Sequence, residues 1–162
     1  MARILLLVAA VGALALPATL SAAAQTDGTL SVKRGRGLVV LKFRGTAIGS
    51  VGTGLVRIRD LDTTDGQTPH FRHCRRLRRS IDGSTTVCSG RRLSFRALDG
   101  PFVVTTKGTG IFLSAVGQGT VLFDGAGDWF ATNGVYSFDG GPYEPIPDDP
   151  TTYPLGTPSA TP

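Results

Sequence analysis

Apolar and polar side chains alternate with a period of two along much of the chain. Leu30 and Val32 alternate with Ser31 and Lys33, Val56 and Ile58 with Arg57 and Arg59, and Leu93 and Phe95 with Ser94 and Arg96. Alternation of this kind marks strands with one buried and one wet face. Glycine-containing breaks punctuate the strands at Gly35-Arg36-Gly37, Gly45, Gly52-Thr53-Gly54, Gly108-Thr109-Gly110 and Gly117-Gln118-Gly119. Glycine supplies the positive φ of tight hairpin turns. Strands this close in sequence leave no room for parallel crossovers. The pattern predicts an all-β domain built of antiparallel meanders.

Two stretches of the chain share an order of short motifs. Leu30-Ser31-Val32-Lys33 is matched by Leu93-Ser94-Phe95-Arg96, Val39-Val40 by Phe102-Val103, and Arg44-Gly45-Thr46 by Lys107-Gly108-Thr109. Val51-Gly52-Thr53-Gly54-Leu55-Val56 then lines up with Val116-Gly117-Gln118-Gly119-Thr120-Val121. The expectation is an internal duplication, with copies over residues 30–60 and 93–124. Two such units facing each other would bury both apolar faces in an antiparallel β-sandwich or flattened barrel. A β-solenoid is the alternative, since short strands with glycine punctuation also suit one.

The ends have a different character. Residues 1–24 read as a signal peptide: Arg3, a 13-residue apolar run from Ile4 to Leu16, then Pro17 and the small residues Ala22-Ala23-Ala24. That run is shorter than the ~20 residues a membrane helix needs. Cleavage after Ala24 would leave a secreted chain with no transmembrane segment. From Pro142 to Pro162, seven of 21 residues are proline, which fixes φ and removes a donor. A flexible Pro-rich tail over residues 142–162 is therefore expected, leaving residues 25–141 as a single β domain.

Between the two motif copies, residues 61–92 form an insertion that holds both cysteines. In an exported chain, Cys74 and Cys88 are expected to form a disulfide. The insertion also concentrates charge. Removal of Arg3 with the signal leaves 16 Lys and Arg against 12 Asp and Glu; without Arg72, Arg75, Arg76, Arg78 and Arg79 the bases number 11. From Ala97 onward, Lys107 is the only base against seven acids. The five arginines are the candidate polyanion-binding residues, because guanidinium forks match phosphate and carboxylate geometry. Only Phe71 interleaves an aromatic ring with them, so a base-stacking nucleic-acid surface is not indicated.

Other chemistry finds little material. His70 and His73 are the only histidines, and a metal shared between them would sit among guanidinium groups beside an oxidised cysteine. Asp60-Leu61-Asp62-Thr63-Thr64-Asp65-Gly66 and Asp124-Gly125-Ala126-Gly127-Asp128 resemble calcium loops but read as turns, because neither fits the EF-hand spacing. No nucleophile elbow or phosphate-binding glycine loop is present. The reading is of a non-enzyme with no metal and no cofactor.

At Leu113-Ser114-Ala115-Val116-Gly117-Gln118-Gly119-Thr120-Val121 and at Gly134-Val135-Tyr136-Ser137-Phe138, the chain resembles a group of secreted proteins of unknown function from high-GC Gram-positive bacteria. The likeness spans residues 28–60 and 92–147 and leaves out the Arg-rich stretch. It implies a shared β fold and export, and it carries over no catalytic residue. The expected function is a structural or protein-binding role at the cell envelope, with an extracellular protein as partner. The alternative is a binder of anionic envelope polymers, lipid head groups or nucleic acid through the arginines of residues 72–79.

Overall fold

The computed structural model describes residues 26–127 and 132–156. The signal segment 1–24, the cleavage point after Ala24, Asp128 and residues 157–162 lie outside them. Two very long strands dominate, β1 (Gly28–Asp60) and β4 (Thr85–Gly125). Between them come β2 (His70–Arg72) and β3 (Arg76–Arg79), and after them β5 (Val135–Phe138), β6 (Glu144–Pro145) and β7 (Thr151–Leu155). All pairings are antiparallel, in one seven-stranded sheet.

The register of β1 with β4 dictates the shape. Leu41 pairs with Val104 on one side and Val121 on the other, and Val104 pairs with both Leu41 and Ile58. Leu41 and Ile58 are therefore two strands apart, about 10 Å, although the extended chain between them is about 56 Å long. Only a ribbon that coils back on itself satisfies both distances. The β1–β4 hairpin is rolled into two layers, with the connectivity of a jelly roll. The first layer runs, edge to edge, β7, residues 118–125, 37–45, 100–108, 53–60, 85–90 and β3. The second runs β6, β5, residues 28–35, 110–117, 46–51, 93–97 and β2.

The core lies between the layers. Val39, Leu41, Val56, Ile58, Phe102, Val104, Val121 and Phe123 face inward from the first, and Leu30, Val32, Val51, Leu93, Ile111 and Leu113 from the second. Cys88 is buried with them and forms the disulfide with Cys74, at the bend between β2 and β3. All of this structure falls within residues 28–155.

The all-β antiparallel sandwich agrees with the pattern of alternation, but the meanders do not. Most of the glycine breaks are corners where a continuous strand passes from one layer to the other. Gly54 and Gly108 pair at one corner, and Gly45 and Gly117 at another. A Cβ on Gly54 would lie 2.1 Å from the Lys107 carbonyl oxygen, and one on Gly108 2.1 Å from that of Thr53. Both residues also hold positive φ, 152° and 147°. A corner and a hairpin turn make the same demand on glycine, so the sequence pattern does not distinguish them. A coiled antiparallel ribbon is two-fold by construction. Matching corner sequences in its two arms are what the coil requires, whether or not one arm was copied from the other.

The Pro-rich segment also departs from expectation. β6 pairs with β5, β7 pairs with residues 119–123 of β4, and Ile146 and Leu155 are buried in the core. Residues 142–156 are thus part of the domain and not a flexible tail. Prolines are accommodated because β7 is an edge strand, where a missing N–H can face away from the neighbour. Tyr153 closes the segment onto an aromatic group, with ring centroids 5.3 Å from Tyr136 and 6.0 Å from Phe123.

Candidate polyanion-binding face

The five arginines proposed from the sequence do not form one cluster. Arg72 lies on β2 in the second layer, opposite Ser94, while Arg76 and Arg78 lie on β3 in the first layer, opposite Ser89 and Val87. The bend at His73 (φ 60°) and Cys74 separates the two pieces. Arg75 sits at that bend, its N–H donating to the Ser89 carbonyl. Arg79 pairs with buried Thr86 and lines a hollow of about 190 Å³ with Asp60 and Asp82. Side chains adjacent in sequence are distributed by strand alternation and by the corner.

A larger group of bases is assembled by the register. Arg57 is paired with Val87, which faces Arg78 on its other side; Arg59 is paired with Val103, which faces Lys42. Lys107 is paired with both Leu38 and Leu55. Paired residues of an antiparallel ladder share a face. Lys42, Arg44, Arg57, Arg59, Arg76, Arg78 and Lys107 therefore all stand on the outward face of the first layer. Among the described residues of that layer's strands, the carboxylates are buried Asp60, which faces inward, and Asp124. At the rim the Thr64 hydroxyl and N–H hold the Asp62 carboxyl below its usual range, with a smaller contribution from Arg44.

The bases are ordered in rows. Arg76 and Arg78, Arg57 and Arg59, and Lys42 and Arg44 are each two residues apart on one strand, about 7 Å. The rows are separated by two strand spacings, about 10 Å, and Val87, Val103 and Thr105 pave the furrows between them. Alternation in the sequence points Arg57 and Arg59 outward. The pairing that brings Lys42, Lys107 and β3 beside them comes from the rolled register, which a single sequence does not display.

Among the described residues, no group of three or more His, Cys, Asp or Glu side chains is placed to hold a metal ion. His70 is on β2 and His73 at the bend beyond it, and neither belongs to such a group. The Asp60–Gly66 loop is a run of Asx turns: Asp60 accepts the Asp62 N–H at 2.9 Å, Asp62 the Thr64 N–H at 3.1 Å, and Asp65 the Gln67 N–H at 2.8 Å. Burial raises the Asp60 carboxyl above its ordinary range, an effect opposed by the Asp62 N–H. No helix among the described residues is long and apolar enough to cross a membrane. No protein-family model, curated protein or solved structure matches the chain.

Proposed function

We propose that this protein is an exported, non-enzymatic module that binds an extended anionic polymer on the outward face of its first layer. The observation that carries the reading is the convergence of seven basic side chains from β1, β3 and β4 on a face whose strands carry, among the described residues, one outward carboxylate, Asp124. Charges about 7 Å apart within each row suit the repeat of an extended phosphate- or carboxylate-bearing chain. Among the described residues the furrow floor is paved by Val87, Val103 and Thr105 without an aromatic ring, which supports contact with the polymer backbone over base stacking. Export rests on the signal-like segment 1–24, and the disulfide fits an oxidising compartment. The ordered rows favour this reading over a purely structural or protein-binding role.

The test compares two sets of substitutions for binding to inorganic polyphosphate. Lys42→Ser, Arg57→Ser, Arg59→Ser and Arg76→Ser together remove bases from the face. Arg72→Ser, Arg75→Ser and Arg79→Ser together remove bases that point elsewhere. The face set is expected to lose most of the affinity and the other set little. Equal losses would return the site to the contiguous arginine stretch, and no binding by the unsubstituted protein would end the proposal.

A further inference from the structure

The outward face of the second layer differs from that of the first. Ile48, Phe112 and Val116 are 53%, 45% and 48% exposed. Ile48 is paired with Ser114, and Phe112 and Val116 lie two residues to either side of Ser114 on the same strand. All three therefore point outward as one bent ridge, with Ile48 beside Ser114 and with Phe112 and Val116 about 14 Å apart to either side. Ile48 and Phe112 wall a shallow hollow of about 420 Å³ that also reaches Lys33. Ile48 is shared with a second hollow of about 380 Å³, lined by His70, Arg72 and Arg96. His70 lies directly across from Arg96. Among the described residues the strands of this layer carry one carboxylate, Glu144, which accepts a hydrogen bond from the hydroxyl of buried Tyr136 at 3.0 Å.

An apolar ridge with bases to both sides, on an open sheet face, matches the profile of an interfacial membrane surface. Apolar side chains enter the boundary between head groups and acyl chains, and long basic side chains reach lipid phosphates at its rim. Both hollows are too shallow and open to enclose a single ligand. On the outward face of the first layer, by contrast, the apolar side chains among the bases, Leu38, Leu55, Val87 and Val103, are half-buried. We infer that the outward face of the second layer docks on an anionic lipid bilayer through Ile48, Phe112 and Val116, with Lys33, Arg72 and Arg96 facing the phosphates. This is independent of polymer binding by the opposite face.

The experiment is co-sedimentation of the chain from Gln25 onward with vesicles of phosphatidylglycerol and phosphatidylcholine, and with phosphatidylcholine alone. The seven strands and the core lie within this chain, and its N-terminal apolar run is absent. Pelleting with the anionic vesicles is expected. The double variant Ile48→Ser/Phe112→Ser should bind about tenfold more weakly, through lost apolar contact. Arg72→Ser/Arg96→Ser should lose about thirtyfold, at about fivefold per base. Arg57→Ser/Arg59→Ser, on the other face, should still pellet and still respond to the Ile48→Ser/Phe112→Ser change. All of these positions are exposed, and thermal unfolding checks that each variant folds. Undiminished pelleting of Ile48→Ser/Phe112→Ser, or no pelleting of the unsubstituted chain, would overturn the inference. So would loss of all pelleting on Arg57→Ser/Arg59→Ser alone, since adsorption would then belong to the first layer.

Discussion

Substitution of Gly108 by Ala probes the corner at which the ribbon turns from one layer to the other. Gly108 holds φ 147°, a conformation that costs a residue with a Cβ about 1–3 kcal/mol. The new methyl would also sit 2.1 Å from the Thr53 carbonyl oxygen, with Gly54 Cα at 2.9 Å, so backbone and not a flexible side chain must yield. Relief of that overlap costs about 1–3 kcal/mol more, as in other overpacked sites. The sum is about 2–6 kcal/mol, a large share of the 5–15 kcal/mol typical of a domain. Gly66→Ala is the control: φ is 73° and nothing lies within 4 Å of a Cβ there, so the cost is about 1–2 kcal/mol of backbone strain alone. The entropy that any Gly→Ala change removes from the unfolded chain acts alike in both. Urea unfolding followed by circular dichroism should place the Gly108→Ala midpoint about 1 M below that of Gly66→Ala. The double variant Gly54→Ala/Gly108→Ala should cost less than the two single changes added, because one separation of the strands accommodates both methyls. Midpoints that coincide for Gly108→Ala and Gly66→Ala would refute the close crossing of strands at this corner.

Three further expectations follow from burial and linkage. Leu155 is 1% exposed, so Leu155→Ala should destabilise the fold by about 2–5 kcal/mol in urea titrations, whereas a flexible tail would tolerate it without change. Cys74 and Cys88 close a 14-residue separation, and reduction should remove about 3 kcal/mol, read as a lower midpoint in the presence of reductant. Burial raises the Asp60 carboxyl in the folded protein above its unfolded value, so the folded state binds more protons between the two values and stability falls as pH rises through that window. Asp60→Asn should be neutral at pH well below the window and stabilising above it. Unfolding midpoints with the same pH dependence in Asp60→Asn and the unsubstituted protein would contradict this.

What the sequence made legible was the local pattern. Alternation at Leu30–Lys33, Val56–Arg59 and Leu93–Arg96 identified strands and the side each residue faces, and the two cysteines in an otherwise exported-looking chain identified the disulfide. The long-range register was hidden, because Gly54 or Gly108 at a corner satisfies the same local rule as glycine in a hairpin. The place of the Pro-rich segment in the sheet is hidden for a related reason. Its prolines forbid a central strand, but Ile146 and Leu155 supply anchors and the sheet edge supplies a place where Pro154 fits. Charge counting found the arginines of residues 72–79 yet could not find the face. Lys42, Arg57 and Arg59 join Arg76 and Arg78 only after the ribbon is rolled, whereas Arg72 and Arg75 are carried away by the bend at His73.

The central claim is that bases from several strands act together on one polymer, and the salt dependence of polyphosphate binding tests it most directly. Each phosphate contact contributes a slope of about −0.7 to log K against log salt for a single-stranded polyanion. Removal of Lys42, Arg57, Arg59 and Arg76 by substitution with serine should flatten the slope by about 3. A slope unchanged by those four substitutions, or flattened as much by changes at Arg72, Arg75 and Arg79, would contradict a binding site on the first layer.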